Sequence, residues 1–147
     1  MWRLTSLLLL CLCTPVAFAS GPHQGASAAD TIHALVEKAG IAPPKEQCFL
    51  YAELVHQMTE LAGQQVTAGE DATATLRSIH EYADKIHLGV AQDTKKLKNA
   101  QILMERTAFR LKEILHASPI DDRPQLEATV QQLDQVQAEL MMQVFRH

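Results

Sequence analysis

The chain is poor in residues that break helices and in residues that build most chemical sites. Six glycines and six prolines in 147 residues fall mainly near the ends of apolar-periodic stretches, leaving runs of Ala, Leu, Gln, Glu and Lys from which helices, and no sheet, are expected. No Gly-x-Ser-x-Gly elbow and no glycine-rich phosphate loop is present, so neither a strand-mounted nucleophile nor a nucleotide cradle is expected. An enzyme is not expected, and no cofactor is implied. Basic residues are outnumbered, 13 Lys and Arg against 17 Asp and Glu, and few aromatics interleave with them, which argues against a nucleic-acid partner. No apolar run approaches the roughly 20 residues that a membrane-crossing helix needs.

Tryptophan occurs once and cysteine three times, and their positions matter more than their number. Trp2, Cys11 and Cys13 all lie in an N-terminal segment with the build of an export signal: a positive start at Arg3, an apolar stretch from Leu4 to Cys13, and Ala17-Phe18-Ala19 as a cleavage pattern. Residues 1–19 are therefore expected to be removed, giving a periplasmic or secreted product. Large residues before Cys11 and Cys13 argue against a lipoprotein anchor. Cleavage takes away Arg3 and moves the formal charge from −4 to −5. Cys48 is then alone in a compartment where disulfides form, so it serves either in an intermolecular bridge or as a small core residue near a helix start.

Residues 20–29 are rich in Ser, Gly and Ala without an apolar period and are expected to be a flexible leader; residues 30–147 should form one helical domain. Asp30 is placed to cap a short helix that docks Ile32, Leu35 and Val36 and stops at Gly40. Pro43-Pro44 punctuates. A second helix from Lys45 to about Thr67 carries Cys48, Tyr51, Val55, Met58 and Ala62 on one stripe, flanked by Leu54 and Leu61, and ends at Gly69.

Leu76, Ile79, Ala83, Ile86, Val90, Asp93, Leu97, Ala100, Met104, Thr107, Leu111 and Ile114 then follow at alternating spacings of three and four, a heptad seam. Ser118-Pro119 and Pro124 separate it from a last helix with Leu126, Val130, Leu133, Gln137, Leu140 and Val144 in register, widened by Val136, Met141 and Phe145. Leu61, Ala62, Gly69 and Ala74 are spaced in a way that resembles the turn of a tetratricopeptide-like hairpin over about thirty residues. The pattern occurs once, without a second copy at the roughly 34-residue period that such repeats require, and implies only a helical hairpin.

Two all-α architectures fit. If the seam is continuous, antiparallel hairpins are built on one long central helix of roughly 65–70 Å; this rod is slightly favoured, since one glycine within a helix costs only about 1 kcal/mol. Such a rod leaves apolar surface that a second copy would cover. If the helix breaks near Gly89, the chain folds as an up-down four-helix bundle.

Candidate sites are few. Glu53 with His56, Asp84 with His87, and Glu113 with His116 place paired ligand types one turn apart. Angular steps of about 100° per residue turn the first and third pairs away from the core. His80, Asp84 and His87 remain as candidate metal ligands on a seam flank, against the plainer reading of histidines solvated beside a helix interface. Lys95, Lys96, Lys98, Arg106 and Arg110 make a local basic field that suits an anionic polymer or lipid headgroup, or that pairs, together with Lys112, with Glu127, Asp134 and Glu139 of the last helix. The expected function is non-catalytic helix-face interaction with a protein partner or a second copy; the alternative is a metal-binding or metal-responsive bundle.

Overall fold

A computed structural model describes residues 27–88 and 94–146, apart from the side chains at 87, 88 and 94. Residues 1–26, which hold the expected export signal, and Val90 and Asp93 of the seam lie outside the described residues. Among the described residues the chain is all-α: α1 Ala28–Ile41, α2 Pro44–Ala68, α3 Thr73–Leu88, α4 Thr94–Ala117 and α5 Arg123–Arg146, with a single 3₁₀ turn, Ile120–Asp122, leading into α5.

Local chemistry explains the boundaries. Ser27, not Asp30, caps α1: its hydroxyl accepts from the Asp30 N–H while the Asp30 carboxylate accepts from the Ser27 N–H, a reciprocal box that starts the helix three residues earlier than expected. The Ser27 hydroxyl also donates to the Asp30 carboxylate at 2.8 Å, and this bond first, then the one from the Ser27 backbone, holds the Asp30 carboxyl below its ordinary value. Gly40 does not take the left-handed stop; α1 runs through it to Ile41, and Ala42 turns extended because Pro43 follows. Gly69 does, at φ 71°, and the Glu70 N–H returns to the Gln65 carbonyl at 2.8 Å, closing α2 as a Schellman turn. Hydrogen bonding from Thr73 keeps the Asp71 carboxyl low and seeds α3.

The long central helix is not formed. α2 packs on both α3 and α4, α5 packs on the same two, and among the described residues the pairs α2–α5 and α3–α4 make no contact. A continuous rod would have carried α4 past the end of α2, whereas His56, Glu60 and Gly63 of α2 meet Thr107, Arg110 and Ile114 of α4 in rising order. Those two helices are therefore parallel neighbours. So are α3 and α5, joined from Thr73 to Gln125 through His80 and Thr129 to Asp84 and Gln132. The two hairpins are antiparallel, as Tyr51 stacked on Tyr82 shows for α2–α3 and Lys112 bound to Asp134 shows for α4–α5. This is the four-helix bundle, with the two halves of the seam on one diagonal.

The heptad phasing nonetheless holds. All ten described seam residues, from Leu76 to Ile114, are buried and point to the one core. A second rod is therefore not needed to cover the seam. α1 lies against α2 alone, burying Leu35 and Ala39 with Ile32 and Val36 half-buried. On α5 Val136 is buried, but Met141 and Phe145 are exposed instead of widening the buried stripe.

Candidate functional site

The α2/α4 seam changes character along its length. At the Gly63 end the helices are as close as packing permits: a Cβ on Gly63 would stand 2.8 Å from Ile114 Cδ1. One turn earlier Arg110 spans the seam, 3.3 Å from Glu60 and from Glu113, and the Glu113 and Glu60 carboxylates hold its guanidinium above its ordinary value. Earlier still the seam opens into a groove of about 310 Å³ lined by Phe49, Glu53, His56, Gln57, Asn99, Ile102, Leu103 and Arg106. Lys96 caps its upper end, its ammonium 5.5 Å above the Phe49 ring.

His56 sits on the floor of this groove, and its tautomer follows from bookkeeping of protons. Thr107 is fully buried and its single hydroxyl proton goes to the Leu103 carbonyl at 2.8 Å. The 3.0 Å contact with His56 Nδ1 therefore has the imidazole N–H as donor and the threonine oxygen as acceptor. In the neutral ring Nε2 keeps the lone pair. The α3/α5 seam repeats the device with the ring turned over: Thr129 donates to the Gln125 carbonyl at 2.8 Å and accepts from His80 Nε2 at 2.9 Å.

The metal candidates divide accordingly. His80 is committed through Nε2 to Thr129, and Asp84 accepts from Gln132 Nε2 at 2.6 Å. His87 lies on α3, but its side chain is outside the described residues. Among the described residues no three His, Cys, Asp or Glu side chains come together as a metal would require. His56, judged to point away from the core, is half-buried instead, because a residue on the flank of α2's stripe faces α4 once a parallel neighbour lies there.

The basic run is partly consumed by the fold. Lys112 pairs with Asp134 at 2.8 Å, as charge matching with the last helix anticipates, and Arg110 is held by Glu60 and Glu113. Lys98 and Arg106 are exposed on the outer side of α4. Cys48 is fully buried, and burial pushes its thiol up to about 11, so it is an inert core group and not a bridge-forming thiol.

Beside the groove, Ile102 and Phe109 remain 40% and 65% exposed on the outer face of α4, with Glu105 and Arg106 between them. The antiparallel register set by Lys112 and Asp134 brings exposed Met141 and Phe145 level with the turn of α4 just before Glu105. Met142 of α5 is exposed as well, while Ile41 and Ile120, also exposed, sit at element ends. Sequence periodicity alone missed this face, since Ile102 and Phe109 fall off the seam; their seven-residue separation was the available signal. Comparison with protein families, with curated proteins and with solved structures gives no match. No helix among the described residues is long and apolar enough to cross a membrane.

Proposed function

We propose that the protein is exported, loses residues 1–19, and acts without catalysis by binding another protein chain through the outer face of α4 and the adjoining α2/α4 groove. The observation that carries this is the mid-helix exposure of Ile102 and Phe109 in a bundle that buries every other large apolar residue of α4 at least in part. Fully burying a side chain of this size is worth about 1.5–3 kcal/mol, so covering the exposed part of each is worth roughly 1–2 kcal/mol, enough to make this face stick where the polar faces do not. Half-buried Phe49 and Leu103 continue the apolar surface into the groove, and Glu53, Glu105, Lys98 and Arg106 rim it with both signs of charge. That composition suits an amphipathic helix laid along α4, anchored at positions seven residues apart.

A photo-crosslinking amino acid at position 109, with a matched one at exposed Gln131 on α5, tests the reading in producing cells. Discrete adducts at 109 and none at 131 are expected, on a product whose intact mass begins at Ser20. Absence of any adduct at 109, or equal adducts at both positions, would show that this face is not a binding surface.

A further inference from the structure

Resting on that reading, we infer that the chain bound at the α4 face is a second copy of this protein, with two α4 helices crossing antiparallel about a twofold axis between Glu105 and Arg106. The exposed residues along this face of α4 include Lys98, Ile102, Glu105, Arg106, Phe109 and Glu113. A twofold at that point pairs each residue with its mirror in the count along the helix. Ile102 then meets Phe109 of the second copy, Glu105 meets its Arg106, and Lys98 meets its Glu113, each contact occurring twice. Every apolar residue on the face finds an apolar one, and every charge in these pairs finds its opposite.

The complementarity is specific to this orientation. A parallel pair about the same point would set Glu105 against Glu105, Arg106 against Arg106 and Lys98 against Lys98, which like-charge repulsion disfavours. Lys98 and Arg106 are exposed and have their charge to offer, whereas Arg110 and Lys112 of the same helix are held in ion pairs within the fold. Glu113 reaches Arg110 with one carboxylate oxygen while half exposed, leaving the other free to receive the incoming lysine. The seven-residue step from Ile102 to Phe109 matches two turns of a nearly aligned helix pair, and the contact from Lys98 to Glu113 spans roughly 22 Å. A single-helix contact of this kind belongs to the small, reversible class of interface, so the dimer should assemble in the micromolar range.

Sedimentation velocity from about 1 to 200 µM, with reductant present, reads the equilibrium; dimer dissociation constants below about 1 mM are resolvable there. Glu105→Arg and Arg106→Glu should each weaken dimerisation about tenfold or more, because each converts two attractive contacts into repulsive ones. The double swap Glu105→Arg/Arg106→Glu recreates both pairs with signs exchanged and should return the constant to within about threefold of the parent, a rescue that general surface damage would not give. Phe109→Asp should abolish the dimer while leaving the circular dichroism melt in place, since Phe109 is an exposed side chain. A wild-type monomer at every concentration, a dimer indifferent to Phe109→Asp, or a double swap no better than the single ones would overturn the inference. If crosslinking at position 109 then joins the protein to a different chain, the binding reading survives without the dimer; if it joins nothing, both fall.

Discussion

Replacing Met104 with aspartate should strongly destabilise the bundle, whereas the same change at Ile102, two residues away on the same helix, should leave its stability nearly unchanged. Met104 is fully buried beside the α2/α4 and α4/α5 seams and Ile102 is 40% exposed. The Met104 change forfeits about 1.5–3 kcal/mol of side-chain burial. It also places a carboxyl where no partner is available, which adds about 1–3 kcal/mol even after the group protonates to avoid a bare buried charge. The loss of roughly 3–6 kcal/mol compares with a total stability of about 5–15 kcal/mol for a domain of this kind. At Ile102 the new carboxylate stays in water, and a surface change of that sort moves stability by about 0.5 kcal/mol. Thermal melts and urea titrations by circular dichroism compare the two. At roughly 3–5 °C per kcal/mol, Met104→Asp should lower the midpoint by about 10–25 °C and Ile102→Asp by no more than about 3 °C. Equal losses would mean that α4 is rotated from the phase described, and the binding face proposed on its outer side would be wrong with it.

Two glycines should respond oppositely to alanine: Gly69→Ala should cost about 1 kcal/mol because its φ of 71° penalises any Cβ, while Gly40→Ala should gain about 0.5–1 kcal/mol, since Gly40 lies within α1 at ordinary φ with open space where the methyl would go; paired urea titrations read both, and the same sign for the two would refute the helix-end assignments. Cys48 should resist alkylation at pH 8 in the folded protein and react at once in denaturant, followed by mass of its peptide, because the thiol is fully buried and pushed up to about 11; rapid native labelling would contradict the α2 packing.

What the sequence made legible was periodicity. The spacing of three and four from Leu76 to Ile114 named ten residues that the structure buries, and Pro43-Pro44, Gly69 and Pro124 marked where helices change. What it could not carry was continuity. A heptad seam is a statement about faces, and the face of α3 and the face of α4 keep the same phase whether one helix runs straight on or turns back into the same core. The phase survives the turn because both helices look at one shared interior. The candidate sites suffered for the same reason. Whether His56 counts as outward or inward depends on which helix lies beside it, and a stripe on α2 alone cannot say that α4 runs parallel there. Gly63 offered a clue, since a glycine in the middle of a strong helix marks a close approach, here 2.8 Å from a would-be Cβ to Ile114.

The diagonal placement of α3 and α4 has to be selected by something other than the apolar seams. A seam of leucine, isoleucine and alanine would accept α3 beside α4 about as well as α3 across from it, because burial is non-directional. Direction enters through the few polar groups that the core contains. Thr107 and Thr129 are fully buried, and each finds the acceptor role of its hydroxyl used only by a histidine on the parallel neighbour, His56 on α2 and His80 on α3. Were α3 and α4 adjacent instead, with the pairs α2/α4 and α3/α5 on the diagonals, both histidine N–H groups would lose these partners, and Gln132 would lose both the His80 carbonyl and Asp84. Each such loss at a half-buried site costs on the order of 1 kcal/mol, and Gly63 adds steric selection by admitting Ile114 where any larger residue would hold α4 away. The parallel seams are thus the ones that carry the polar and steric identity of the fold, while the antiparallel hairpins need only their short connections. The consequence for function is directional too: selecting α4 as the parallel neighbour of α2 turns Ile102 and Phe109 outward together and leaves the groove beside Phe49 open on the same side, so the features that fix the topology also create the face on which recognition is proposed.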